Sequence, residues 1–524
     1  MTETQPPREF DLPRLGLLLL TSAIALLVLS PLVWLVLRAT QVEPTRAISL
    51  LASRQTLQIT AASLTLVIAV TCFSLLIGVP LAILTARSDL PYKRLFTVLI
   101  ALPLVIPSYI GAFAFTAAFG PHGELGDILG VSLPEISGLA GATLIITLYT
   151  YPYVFLTTRA AVLAMDGTLI DAARTLNATN WEAFRKVTIP QIRPAIAAGA
   201  LLVALYALAD FGTPAFMHVE VFTSAIYWEF GAINVEYAAL LALQLLAVVA
   251  VILLIEARIG ADPDTVGSGQ PSVPIRLRTW RYPIMAAILL LAFITLIVPI
   301  LVFGIWITRG VGTDIAHLQF QWTFAWNSVY LALLAALVAS SLAIPVGYFS
   351  ARSSSTIGRL AERGTYVGFA VPGIVVGLAL VFFGSHYLPL IYRTVPLLVF
   401  AYVVRFLPQA VGTTRASVLQ VDDRVIEAAR TLDATRLDAF RRVTFPLILP
   451  GVIAGAVLVF LTTMKELPAT LMLQPIGMET LVIIIWEAHE SIHYSAAAIP
   501  ALILILVSGL TMLVLLSQET YRLE

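Results

Sequence analysis

His489-Glu490-Ser491-Ile492-His493 fits the pattern His-Glu-x-x-His. On a helix, two imidazoles four residues apart share a face and can hold zinc while the glutamate acts as base. A protease site of this kind usually takes a third ligand from later in the chain. After His493 the only acids are Glu519 and Glu524, beyond the last apolar run, while Glu479 and Glu487 lie upstream. An intramembrane metalloprotease is the enzyme reading, and activity without zinc would dispose of it. The six histidines, at 122, 218, 317, 386, 489 and 493, lie between apolar runs, on the side assigned below to the outside. Metal handling accounts for that placement, and so does the ordinary polarity of loops.

A second group of charges lies inside apolar runs, where charge is costly and faces a cavity or a partner. Asp210 sits in the fifth run, and Lys465 and Glu466 sit in the eleventh, with Asp210 and Glu466 at an offset of 256. Paired acids at equivalent places suit a cation path. The alternative is that they form caps or salt bridges near the outer helix ends. Arg405, in the tenth run, matches Tyr149 of the aromatic series Tyr149, Tyr151 and Tyr153. For Arg405 a buried ion pair that fixes packing stands beside contact with a substrate.

The elements that position these groups follow from composition. The chain has 524 residues, 59% hydrophobic and 12% charged, with 31 basic and 31 acidic side chains. Mean hydropathy is +0.92. A soluble domain carries about 25% charged residues, and a soluble fold cannot hide so much apolar surface. An ordinary cytosolic enzyme, a disordered chain and a nucleic-acid binder relying on net charge are excluded. Cys72 is the only cysteine, which excludes a disulfide framework and a cysteine zinc cluster.

Crossing a membrane takes about 20 mostly apolar residues. Twelve runs qualify: 15–37, 57–84, 95–119, 139–157, 195–217, 238–256, 282–306, 327–349, 365–384, 395–413, 450–472 and 497–517. The first is too long for a signal peptide and reads as an anchor. With the N-terminus inside, 24 of the 31 basic residues fall in inside segments and five fall outside. The excess of inside charge fixes that orientation. An even number of spans returns the C-terminus to the cytoplasm. The fold class is therefore an all-α membrane protein.

The chain repeats itself. Residues 171–190 and 427–446 match at 13 of 20 positions without a gap. Pro80 and Pro107 recur as Pro345 and Pro372 at an offset of 265. Residues 1–258 form a first half of six spans and 282–524 a second half. A Gly-, Pro- and Ser-rich cytoplasmic linker, 259–281, separates them. Both copies face the same side, as in a parallel repeat.

Each repeated segment lies in an inside loop, 166–194 or 422–450, and describes two short helices with a break. Asp171, Ala172 and Ala173, or Glu427, Ala428 and Ala429, open the first helix. Asn177 and Asp433 stand at the break, as residues that tolerate the left-handed conformation. Thr179 with Glu182, and Thr435 with Asp438, can cap the second helix. Pro190 and Pro446 are expected to limit it. A capped helical hairpin is a shape for docking; the alternative is a helix lying on lipid headgroups.

These loops resemble the cytoplasmic motif of ABC importer permeases, Glu-Ala-Ala followed by Gly and a Pro-x-x-x-Pro end. Here the ends are Pro190-Gln-Ile-Arg-Pro194 and Pro446-Leu-Ile-Leu-Pro450. Asp171 stands for the first Glu, and Asn177 and Asp433 stand for the Gly. Ala209-Asp-Phe-Gly-Thr-Pro-Ala215 and Lys465-Glu-Leu-Pro-Ala-Thr-Leu471 resemble the iron(III) branch, in which one chain carries both halves. The resemblance implies a type I ABC importer permease fold with about twelve transmembrane helices in two six-helix halves. It implies a pathway for ferric iron, a periplasmic substrate-binding protein, and two ATP-binding subunits docked on the loops. Related permeases for thiamine, polyamine or oxyanions share the layout. The chain has no Gly-x-x-x-x-Gly-Lys-Ser/Thr loop, so ATP hydrolysis is expected in a separate subunit. No cofactor or resident metal is expected in this chain, and its surroundings are membrane lipid, not nucleic acid. A gradient-driven secondary transporter, which needs no docking loops, is the alternative from another class.

Overall fold

The computed structural model describes residues 12–120, 123–166, 168, 172, 175–177, 179–259, 274–308, 318–353, 356–433 and 435–520. Most of the linker, with Asp171, Ala173, His122 and His317, lies outside them. Among the described residues the regular elements are helices, and extended pairing is confined to one bridge, Ser88 with Ile275.

Among the described residues ten helices are long and apolar enough to cross a membrane: Leu15–Ala39, Arg54–Arg87, Gly138–Ala164, Trp181–Ala209, Val235–Ile255, Arg278–Thr308, Trp322–Arg352, Val395–Gln420, Leu437–Met464 and Tyr494–Met512. The third and ninth expected spans are not straight. Lys93–Val105 and Ser108–Ala118 meet at 89°, and Arg363–Ala370 and Gly373–Tyr387 meet at 102°. Counting each bent pair as one span gives twelve. The cause is local. Pro107 and Pro372 donate no backbone hydrogen bond and hold ψ at 138° and 142°, and the residue before a proline is driven out of the helical region.

A second departure concerns Pro190 and Pro446, which do not end the hairpins' second helices. The helix from Trp181 runs on as the fifth span to Ala209, and that from Leu437 runs on to Met464. Just before each proline the chain widens into a π-helical turn, Phe184–Thr188 and Phe440–Thr444. There the Ile189 N–H bonds the Phe184 carbonyl and the Phe445 N–H bonds that of Phe440. The wider turn shifts the hydrogen-bond register ahead of a residue with no N–H to give.

The described residues pack as two compact units. One falls within Met1–Leu37, Thr323–Thr480 and Thr511–Glu524, the other within Arg38–Trp322 and Leu481–Leu510. These are not the sequence halves. In the first unit, Trp34 lies against Phe383 and Tyr387 at 5.0 and 4.6 Å between ring centroids. In the second, the Tyr149 hydroxyl donates to the Thr295 carbonyl at 3.0 Å, and Trp306 Nε1 donates to Glu124 at 2.9 Å. The first span thus packs with the second repeat, and the seventh span with the first repeat. Homology marks the halves; contact in space marks the units.

Within each unit the repeat sets the same close approach. A Cβ on Gly199 would stand 2.8 Å from Val154 Cα, and one on Gly455 would stand 2.9 Å from Ala410 Cα. Both pairs are related by the 256 offset. Only glycine lets these helices approach so closely.

Candidate functional site: coupling hairpins and charged helix breaks

The hairpins form as their local chemistry dictates. Asn177 and Asp433 have φ of 62° and 61°. The Glu182 N–H donates to Thr179 Oγ1 at 3.2 Å, and the Thr179 N–H donates to Glu182 Oε2 at 2.9 Å. The Asp438 N–H likewise donates to Thr435 Oγ1 at 3.1 Å, and the Thr435 hydroxyl donates to Asp438 Oδ2 at 2.5 Å. These are reciprocal caps on orphan helix-terminal groups. In the second copy the first helix runs Asp423–Thr431, capped by the Asp422 side chain on the Arg424 N–H at 2.9 Å.

Each hairpin sits on a small core: Val162, Met165, Ala183 and Ile192 in one unit, and Val418, Val421, Ile448 and Val452 in the other. Arg352 helps hold the second by donating to the Val421 carbonyl at 2.7 Å. Ala172, Glu427 and Ala428 are exposed. Sequence reasoning missed Leu176 and Leu432, each 83% exposed just before its left-handed residue. Their signal was available: an apolar residue kept at the same place in both copies of a polar loop. A duplicated, rigid, solvent-facing leucine suits contact with a partner protein.

At the far end of the helix from Trp181 the chain breaks at Asp210. Its carboxylate accepts from the Ser108 hydroxyl at 2.7 Å, and from the Thr213 hydroxyl and N–H at 2.8 and 3.3 Å. It thereby holds the start of the short helix Gly212–Phe216. In the other unit Glu466 accepts from the Ala469 N–H at 3.2 Å and so holds the short helix Pro468–Leu473. Its second oxygen pairs with Arg405, and the two side chains are 7% and 13% exposed. A Cβ on Gly373 would run into both, so the absence of a side chain there makes room for the ion pair. Ser108 is the repeat counterpart of Gly373, and Tyr149 that of Arg405. Lys465 occupies the C-cap position of its helix.

The His-Glu-x-x-His pattern does not form one helical face. The helix Leu481–Glu490 ends before it is complete, and Ile492 takes a φ of 61°. The His493 N–H turns back to the Ala488 carbonyl at 2.9 Å, and the Ile492 N–H donates to the His489 carbonyl at 3.0 Å. This is a Schellman ending, and it turns the chain between the two histidines. Among the described residues no three His, Cys, Asp or Glu side chains converge as a metal cage.

Residues 78–260 and 343–519 match the family of binding-protein-dependent transport system inner membrane components. The chain belongs to that family. The permease is also 31% identical over 511 residues to the Fe(3+)-transport system permease protein FbpB 2 of Haemophilus influenzae, covering 96% of this chain and 98% of that one. It is 22% identical to the ferric transport system permease protein FbpB of Actinobacillus pleuropneumoniae, over 83% of this chain and 67% of the relative. A molybdenum transport system permease protein, ModB of Escherichia coli, is 31% identical over 142 residues, 27% of this chain and 62% of that one. The two family matches each hold one hairpin and one charged break. The exchanged first and seventh spans of the permease lie outside both matches. The chain is therefore a multi-pass inner-membrane permease carrying the family's domain twice, and the family works with binding proteins and ATPases.

Proposed function

We propose that this permease forms the translocation pathway of an ATP-driven importer for ferric iron delivered by a periplasmic binding protein. The end-to-end match to the Haemophilus influenzae iron(III) permease carries the cargo assignment. The molybdenum permease matches only about a quarter of the chain, which favours iron over an oxyanion. Membership of a binding-protein-dependent family argues against a gradient-driven carrier.

In this reading ATP is hydrolysed in two separate subunits, one on each hairpin. The helices opened by Asp171, Ala172 and Ala173 and by Glu427, Ala428 and Ala429 enter the partner grooves, with Leu176 and Leu432 as apolar contacts. Asn177, Thr179 and Glu182, and Asp433, Thr435 and Asp438, fix the hairpin angle. The π turns before Pro190 and Pro446 join each hairpin to its span, so that movement of a hairpin moves the helix. Asp210, Arg405, Lys465 and Glu466 are assigned to the translocation pathway. The chain uses no cofactor of its own, and both termini are cytoplasmic.

Proteoliposomes holding the permease with its purified ATPase and binding protein should accumulate radiolabelled iron when ATP is supplied. Accumulation of molybdate in place of iron would remove the cargo assignment. Uptake driven by a proton gradient without ATP would remove the importer reading.

A further inference from the structure

Two stretches far apart in the chain are stapled together at one end of the second and seventh spans, within one compact unit. The Ile275 N–H donates to the Arg87 carbonyl at 2.7 Å, and the Asp89 N–H donates to the Ile275 carbonyl at 3.0 Å. The Asp89 carboxylate then accepts from the Leu277 N–H at 2.7 Å. Leu90 and Phe96 share a buried core with Ile288, and Leu277 and Ile284 pack on it. Residues 87–94 and 275–282 are thereby joined. They hold one acid, Asp89, and six basic side chains: Arg87, Lys93, Arg94, Arg276, Arg278 and Arg281. Like charges repel, so gathering them costs stability unless an anion lies among them.

The basic cluster lies on the hairpin side of the unit. Ile83 and Ala86, just before Arg87, pack on the core of Val162, Met165, Ala183 and Ile192 beneath the first hairpin. Tyr92, Trp280 and Tyr282, in the same two stretches, are exposed, and the Arg281 guanidinium stands 4.9 Å from the centre of the Tyr282 ring. Exposed aromatic rings at the ends of spans sit at the level of lipid headgroups. The helices that begin at Lys93 and Arg278 have no side-chain cap, which leaves N–H donors for an anion.

An apolar groove of about 380 Å³ continues from the cluster toward the middle of the membrane. Its walls lie within residues 76–81 of the helix Arg54–Arg87 and 287–294 of the helix Arg278–Thr308, and every lining side chain is apolar. Leu81 is six residues from Arg87, and Ala287 is six from Arg281, about 9 Å at 1.5 Å per residue. At the far end Leu76 is eleven residues from Arg87 and Ile294 is thirteen from Arg281, roughly 16–20 Å from the charges. One leaflet of hydrocarbon is about 15 Å deep, so the groove runs the depth of a single acyl layer. Leu76 and Leu290 on its two walls are exposed, which leaves it open sideways to lipid.

We infer that this place binds an anionic phospholipid of the leaflet on the hairpin side, with its phosphate on the basic cluster and an acyl chain in the groove. The charge selects the headgroup and the apolar walls select the chain. A soluble phosphate meets only the first demand and a neutral lipid only the second. Basic pockets between transmembrane helices take anionic headgroups in this way. Orienting a chain in the membrane needs positive charge on one side. It does not need charges from two separate loops tied by backbone hydrogen bonds over one groove. The bound lipid clasps the exchanged seventh span to the second span, beside the core that carries the first hairpin.

The test uses the full permease, purified in detergent and stripped of lipid, with dioleoyl phosphatidylglycerol as probe. Native mass spectrometry reads the lipid retained, and melting temperature reads its effect. Phosphatidylglycerol should bind saturably and raise the melting temperature, and dioleoyl phosphatidylcholine should do neither. Arg94→Gln, Arg276→Gln and Arg278→Asn together alter exposed side chains, and asparagine suits the left-handed backbone at 278. This triple variant should weaken phosphatidylglycerol binding by about tenfold or more. Ala287→Phe keeps every charge and should weaken the same lipid by filling the groove. Should it fail to fold, Leu290→Trp narrows the groove from an exposed position. Equal retention of phosphatidylglycerol by the variants and the unsubstituted protein overturns the site, as does equal retention of phosphatidylcholine. Stabilisation by glycerol 3-phosphate that matches the lipid's would assign the cluster to a soluble phosphate and overturn the lipid. Iron uptake plays no part in these measurements, so their result stands apart from the importer reading.

Discussion

Ser108 donates its hydroxyl to the Asp210 carboxylate at 2.7 Å, joining the bend of the third span to the break of the fifth. A hydrogen bond to a charged group contributes about 1.5–3 kcal/mol. Ser108→Ala and Asp210→Asn should therefore be non-additive in thermal unfolding, with a coupling of roughly 1–2 kcal/mol. Additive losses would show that the two bends are held independently.

The equivalent place in the other unit is occupied by an ion pair. Arg405→Met leaves Glu466 buried without its cation and should destabilise by about 3–5 kcal/mol. Adding Glu466→Met should restore much of that loss, because a buried pair is replaceable by apolar side chains of similar volume. Gly373→Ala should be costly by itself, since its methyl falls on both partners. Membrane abundance and melting temperature report all three. A double variant no better than Arg405→Met alone would contradict the pairing.

Leu176 and Leu432 separate folding from coupling. Both are 83% exposed, so Leu176→Asp and Leu432→Asp should shift stability by no more than about 0.5 kcal/mol. One substitution should lower stimulation of the partner ATPase in part, and the pair should abolish it together with ATPase co-purification. Ala172→Trp with Ala428→Trp should do the same through overpacking, at roughly 1–3 kcal/mol per contact. Intact co-purification and stimulation in both double variants would remove the hairpins from the coupling path.

His489 gives stability a pH dependence of known sign. Its folded value, about 4, lies below the unfolded 6.5. Between these values the unfolded chain takes up a proton that the folded one refuses, so stability falls as pH drops from about 6.5 to 4. Burial pushes the Glu490 carboxyl up, and an acid so shifted acts in the opposite direction. In a Glu490→Gln background, His489→Gln should therefore flatten the slope of melting temperature in that window. An unchanged slope would mean that His489 titrates normally.

Local signals were legible in the sequence. The caps at Thr179 and Thr435 and the left-handed Asn177 and Asp433 depend on neighbours within four residues, so residue type and spacing suffice. The prolines were not equally legible. Pro80 and Pro345 lie inside the unbroken helices Arg54–Arg87 and Trp322–Arg352, whereas Pro107 and Pro372 sit at right-angled breaks. The difference lies in tertiary partners such as Asp210 and Glu466, which no local pattern contains. The π turns escaped for a related reason: Pro190 reads as a helix stop until the register shift before it is seen. His218 and His489 are far apart in the chain, and only the fold brings them to one cavity. The spacing of His489 and His493 suggested a pairing that the turn at Ile492 prevents.

The crossed packing of the spans sets a timetable for synthesis. The unit built on the first repeat includes Arg278–Thr308 and, later still, Leu481–Leu510. It cannot close until nearly the whole chain has emerged. At about 5–20 residues per second, the interval between the end of the first repeat and residue 510 is roughly 13–50 seconds. Through that interval the apolar faces awaiting their late helices must be covered by lipid or by the insertion machinery. A ribosome that stalls in the linker would leave a fragment that retains its hairpin but lacks the helices that complete its unit, so the fragment is a substrate for membrane proteolysis, not half a transporter.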